Sequence, residues 1–126
     1  MSVKDSDKQS IVEVAKHFYA RGFRLIATSG TAAAIQAADI PCLVVNKVGE
    51  GHPNLVDVIT CGAVDCIINT TTDSNTINDS YIIRQSAISQ RVSYSTTVAG
   101  GLAMSISLAH SPLKVRALQH WHRDLI

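Results

Sequence analysis

The chain has 126 residues, 46% hydrophobic and 17% charged, with a formal net charge of +1. That length and balance fit one domain with a single sizeable core. They argue against a broad basic surface for nucleic acid, while leaving room for a local cationic pocket. No apolar run approaches membrane-spanning length, and MSVKDSDKQS lacks a signal-peptide core, so a cytoplasmic protein without a membrane partner is expected. Cys42, Cys61 and Cys66 form no CxxC pair and border apolar stretches, which predicts buried thiols in a reducing compartment.

In chain order, Asp7 is placed to cap a first helix, with Ile11, Val12, Ala15, Phe18 and Tyr19 on one face and Gly22 ending it. FRLIAT predicts a strand and TAAAIQAA a helix; CLVV predicts a strand and NKVGEGHPN an irregular loop. Residues 54–61 predict a short helix ended by Gly62, and VDCIIN reads as a strand buried on both faces. TTTDSNTIN predicts a loop, after which Asp79 or Ser80 opens a helix with Ile82, Ile83, Ala87 and Ile88 inward. VSYST predicts a strand, and TVAGGLAMSISLAH a helix despite Gly100 and Gly101. The tail after Pro112 suggests a short strand and a helix. This alternation calls for a three-layer α/β/α sandwich with a mainly parallel sheet, one domain over residues 1–126.

Ligands of parallel α/β sheets bind outside the carboxyl ends of the strands. Here those ends are Thr28-Ser29-Gly30-Thr31, Asn46-Lys47-Val48-Gly49-Glu50-Gly51, Asn69-Thr70-Thr71-Thr72 and Ser95-Thr96-Thr97. All are small, polar and hydrogen-bonding; none offers a strong base or nucleophile. Thr-Ser-Gly-Thr opening a helix is a sound anion cradle, because free N–H groups and the positive dipole end point outward. Ser and Thr also cap helices for structural reasons alone, and the turn matches neither GxxxxGK[ST] nor GxGxxG. Lys47 and Lys8 are the cations that could converge on it. His52, His120 and His122 lack ligand spacing, so no metal site is expected, and no carboxylate pair marks a catalytic couple.

The order DxDK, ATSGTA, VNKVGEGHPN, IINTTT, IRQSAI and YSTTVAGG, from Ser2 to about His122, resembles the methylglyoxal-synthase-like family. Within it, these motifs are most similar to the C-terminal allosteric domain of carbamoyl-phosphate synthase large subunits. The resemblance implies a domain excised from the C-terminus of a larger chain, with Met-Ser-Val continuing an upstream strand. It implies an effector site for a nucleotide monophosphate, UMP or IMP, with the phosphate on Lys8, Thr28, Thr31 and Lys47. Asn69, Thr70 and Thr71 would face the ribose or base, with Ser2, Val48 and Asp79 as weaker contacts. Thr96 matches a residue of an ornithine site shared with the neighbouring synthetase domain.

No cofactor is implied for the domain itself. Its parent would use ATP with Mg2+ or Mn2+ to make carbamoyl phosphate from glutamine and bicarbonate for pyrimidine and arginine biosynthesis. The implied partners are the remaining large-subunit domains, the glutaminase small subunit and oligomeric neighbours. Some versions of the family answer to N-acetylglutamate or phosphoribosyl pyrophosphate instead; the Lys8, Thr28, Thr31 and Lys47 set favours a phosphorylated ligand. The runner-up is a free-standing lyase acting on dihydroxyacetone phosphate, for which Glu50 is the only carboxylate in the corresponding segment, Lys47 to His52. A third alternative is a partner-binding module without a ligand.

Overall fold

Helix α1 spans Lys8–Ala20, and its buried residues Ile11, Val14, Ala15 and Phe18 recur at i, i+3, i+4 and i+7. The computed structural model describes residues 1–70 and 74–108 with Gln119 and Arg123, and only the backbone over 74–77. The expected strand and helix after Pro112 lie outside them. Val12 and Tyr19 fall off the α1 stripe: Val12 is half-buried and Tyr19 exposed. Asp7 does not cap the helix with its side chain. A 3-10 turn over Asp5–Asp7 already gives Asp7 a helical backbone, and its carboxylate faces Lys4 at 3.9 Å. Gly22, in the left-handed region at φ 87°, ends α1 as expected.

Strand β1 (Ile26–Thr28) leads straight into helix α2 (Ser29–Gln36), and strand β2 (Leu43–Val45) pairs parallel to β1. Helix α3 (Leu55–Thr60) precedes strand β3 (Cys66–Ile68), which pairs parallel to β4 (Ser93–Ser95); helix α5 is Val98–Ser107. Helix α4 spans Ser74–Ser89, so part of the expected polar loop is helical and Asp79 lies within the helix. SNTIND contains neither Gly nor Pro, and nothing there stops the helix extending backwards. On α4, Ile83 and Ala87 are buried one turn apart, whereas Ile82 and Ile88 are exposed, contrary to the expected inward set.

Pleating divides the core. Ile68 packs with α1, α2 and β1 residues such as Ile11, Ile35 and Ala27, while the adjacent Ile67 packs with Ile59, Ile83 and Ala87 of α3 and α4. Helices on both faces of parallel strands are the expected three-layer α/β arrangement. The cysteines differ from expectation: Cys61 is exposed, and Cys42 and Cys66 are half-buried. Cys61 closes α3, where its Sγ donates to Val58 O at 3.1 Å, a position that faces solvent. Among the described residues, no helix is long and apolar enough to cross a membrane.

The strands form two pairs, β1–β2 and β3–β4, bridged at their carboxyl ends by the first residues of the chain. Thr28 N donates to Met1 O and Met1 N to Ile26 O on one side; Ser2 N donates to Ile68 O and Thr70 N to Ser2 O on the other. Ser2 pairs with Asn69 in the parallel sense. Below this bridge the pairs are parted by a cleft of about 610 Å³ whose walls include Arg24, Leu25, Ile26, Asp65, Cys66 and Ile67.

The tolerance of α5 for Gly100 and Gly101 has a packing cause. A Cβ at Gly101 would meet Ile68 Cδ1 at 2.5 Å, so the helix lies against β3 with no room for a side chain. Gly101→Ala is therefore expected to cost about 1–3 kcal/mol through overpacking, against its favourable helix propensity, as read by urea denaturation.

Burial at the mouth of the cleft also pushes the Met1 amine down to about 6 from 8.0. Between those values the unfolded chain binds more protons than the folded one, so stability rises with pH. With Met1 as the free amino terminus, stability should increase by roughly 2–3 kcal/mol from below pH 6 to above pH 8. Acetylating the amine should flatten that part of a denaturation-against-pH profile.

Candidate functional site

Thr28 is the N-cap of α2 in an extended conformation, yet its side chain makes no cap hydrogen bond. Its hydroxyl donates instead to Ser2 Oγ at 3.3 Å, and the residue is buried. Asp7 at α1 likewise makes no side-chain cap, whereas α3 and α5 are capped. Asn54 closes a capping box with Asp57 at α3, and Thr97 accepts from Gly100 N at α5. The opening turn of α2 thus keeps its N-terminal N–H groups and dipole without help from the residue best placed to cap it.

Thr31 and Thr70 flank the incoming chain. Thr31 Oγ1 accepts from Val3 N at 3.1 Å, and Thr70 Oγ1 accepts from Lys4 N at 2.9 Å. Both threonines are buried, and among the described residues no buried side-chain N or O lacks a partner. Each hydroxyl that accepts from a backbone amide still has its own proton to donate. These groups therefore fasten the Ser2–Lys4 segment while keeping one donor apiece.

Of the two cations expected at this turn, Lys8 lies at it. Lys8 reaches across the start of α2, where a Cβ at Gly30 would meet its Nζ at 2.8 Å. Its ammonium bonds to Asp5 Oδ1. That hydrogen bond and charge hold the Asp5 carboxyl below the usual carboxylate range, with a further contribution from Lys47 at the end of β2. Asp5 is thus a carboxylate beside Lys8, which spacing alone did not mark. Glu50 is exposed, and its N–H closes a turn onto Lys47 O at 3.1 Å. A carboxylate held ionised by lysine is a poor general base, so Asp5 suits holding an anion's counter-charges better than removing a proton.

The loop carrying Lys47 is pinned at its far end. Asn46 N donates to Pro53 O and Leu55 N to Asn46 O. Asp57 Oδ2 accepts from Asn54 N at 2.8 Å and meets His52 Nδ1 at 2.6 Å; the His52 contact first, then Asn54 N, keeps the Asp57 carboxyl low. Sequence spacing gave His52 no carboxylate partner; the capping box supplies one by turning Asp57 back toward the loop.

Asn69 is bonded to other side chains. Its Nδ2 donates to Ser80 Oγ at 2.9 Å and Tyr94 Oη at 2.8 Å, tying β3 to α4 and β4. Asn69 and Thr70 also line a second pocket of about 360 Å³ with Lys4, Asp7, Arg84 and Tyr94. Thr96 is exposed and borders that pocket. The guanidinium of Arg84 lies 5.6 Å from the Tyr94 ring centroid. Arg84 and Tyr94 carried no site signal beyond the motif IRQSAI and a strand. Of the weaker candidates, Ser2 joins the threonine cluster, Val48 packs partly into the α3–α4 core, and Asp79 is half-buried on α4. Thr71 lies outside the described residues.

Replacing Thr31 by valine removes the acceptor of a buried backbone amide. Thr31→Val should lower stability by about 1–3 kcal/mol without any ligand, measured by chemical denaturation, whereas Lys47→Ala should leave it nearly unchanged.

The pattern of the MGS-like domain matches residues 10–96. The chain is 45% identical over 123 residues to the carbamoyl phosphate synthase large chain of Halomonas eurihalina, covering 97% of this chain and 11% of that protein. It is likewise 45% identical over 126 residues to the carbamoyl phosphate synthase large chains of Xanthomonas axonopodis and Pseudomonas aeruginosa, covering 99% of this chain and 12% of each. The chain therefore spans only about an eighth of the length of these relatives. With parallel strands, helices on both faces and a match over most of its length, this chain belongs to the MGS-like domain family.

Proposed function

We propose that this domain is the regulatory module of a carbamoyl phosphate synthase large chain and that it senses a nucleotide monophosphate. One observation carries the proposal: a helix start without a side-chain cap, with Lys8 lying across it. The phosphate rests on Lys8, Thr28, Thr31 and Lys47, and the ribose and base extend toward Asn69, Thr70 and Thr71, with Ser2, Val48 and Asp79 at the margins. UMP and IMP are the effectors expected. Ornithine occupies the second pocket at Thr96, completed by the neighbouring synthetase domain. The parent acts in the cytoplasm with ATP and Mg2+ or Mn2+, a glutaminase small subunit and further copies of itself, supplying pyrimidine and arginine biosynthesis. The effector regulates because it binds one state of the parent more tightly than another.

The cleft supports reading this chain as one domain of a longer protein. In the parent, chain upstream of Met1 continues between β1 and β3 and replaces a buried amine with an uncharged peptide N–H. The relatives extend far beyond the matched region, which supports this continuation. A version lengthened upstream by the corresponding residues of a relative should gain stability in denaturation and lose the pH dependence of the Met1 amine.

Calorimetry with UMP, IMP and dihydroxyacetone phosphate tests the ligand. Nucleotide binding should weaken about ten- to 150-fold in Lys47→Ala and in Lys8→Ala, the range for losing one charge-assisted hydrogen bond. Equal affinity in wild type and both variants would move the site elsewhere. Methylglyoxal release from dihydroxyacetone phosphate, abolished by Glu50→Gln, would replace the sensor with the lyase.

A further inference from the structure

Lys8 is not free at the start of α2. Its side chain is 30% exposed and its ammonium is taken by Asp5, whose own side chain is 95% exposed. The 3-10 turn Asp5–Asp7 fixes this partnership, since it sets Asp5 three residues before Lys8 on the same side of the entering chain. Lys47 acts on the same carboxylate from the end of β2. One anionic group thus already holds Lys8, a cation that a phosphate would use, and also feels the charge of Lys47. Asp7, the other acid of the turn, faces Lys4 instead.

We infer that Asp5 is a built-in counter-anion that sets the affinity and selectivity of this site: it holds Lys8 in the unliganded domain and must swing aside for a phosphate to take its place. The inference rests on the phosphate reading above. An exposed side chain on a short turn can swing into water with little loss of hydration. If it stayed, its charge would oppose an arriving dianion across a few ångströms. A ligand carboxylate only exchanges like for like against Asp5, whereas a phosphate dianion brings a second charge and a third oxygen to Lys8, Lys47 and the first turn of α2. The exchange therefore disfavours carboxylate ligands and admits phosphate at a reduced affinity.

Calorimetry with inorganic phosphate and with UMP on wild type, Asp5→Asn, Asp7→Asn and Lys47→Ala tests this. Asp5→Asn should bind both probes about three- to tenfold more tightly, the size of one removed like charge nearby in water and salt. Asp7→Asn should change affinity much less. In a carboxyl NMR titration, saturating phosphate should return the Asp5 pKa toward the ordinary carboxylate range as Lys8 leaves it. Unchanged or weaker binding by Asp5→Asn, while Lys47→Ala still weakens it, would overturn the counter-anion and leave the phosphate site standing. An equal gain in Asp7→Asn would reduce the effect to general charge and overturn it too. No binding of either probe to wild type or Asp5→Asn would remove the site, and this inference with it.

Discussion

The backbone of Met1–Lys4 is hydrogen-bonded on one flank to β1 and Thr31 and on the other to β3 and Thr70. Two parallel strand pairs that share no ladder of their own are joined through it. Each buried amide of the segment must find an acceptor, and strand backbone alone does not supply enough at the carboxyl ends. Threonine hydroxyls fill the deficit. The polar groups at the strand ends are therefore there first because the fold needs them, and their remaining donors are what a ligand can use.

That double duty shapes the chemistry. A hydroxyl that accepts from a fixed amide has its oxygen held in place, so its proton is offered from a defined position. The cations are held as well: Lys8 by Asp5 and the narrow space over Gly30, Lys47 by a loop fastened through Asn46, Pro53 and the Asn54–Asp57 capping box. Fixed donors around an open helix start suit binding an anion. Lys8 also lowers the basicity of the Asp5 carboxylate beside it.

Much of this was legible in the residues. Alternating apolar runs and helix-period segments announced an α/β domain, and the strand-end rule picked out Thr28, Thr31, Lys47, Asn69 and Thr70. Errors arose where local signals were weak or degenerate. Asp7 looked like a cap because the preceding 3-10 turn has no strong signature. Ile82 and Ile88 looked inward because an apolar residue on a helix does not declare its neighbours. Cys61 looked buried because apolar sequence neighbours need not be spatial ones.

Short-range chemistry, carried in sequence order, determined the strand–helix alternation, the glycine stops at Gly22 and Gly62 and the anion-friendly turn of α2. Tertiary structure decided which partners those groups found. It brought Asp5 to Lys8 at the start of α2, turned Thr28 away from its own helix toward Ser2, and spent Asn69 on Ser80 and Tyr94. The physical reason is that hydrogen-bond and charge pairing depend on distances of a few ångströms between residues tens of positions apart. Those distances exist only once the chain has closed around its N-terminal segment.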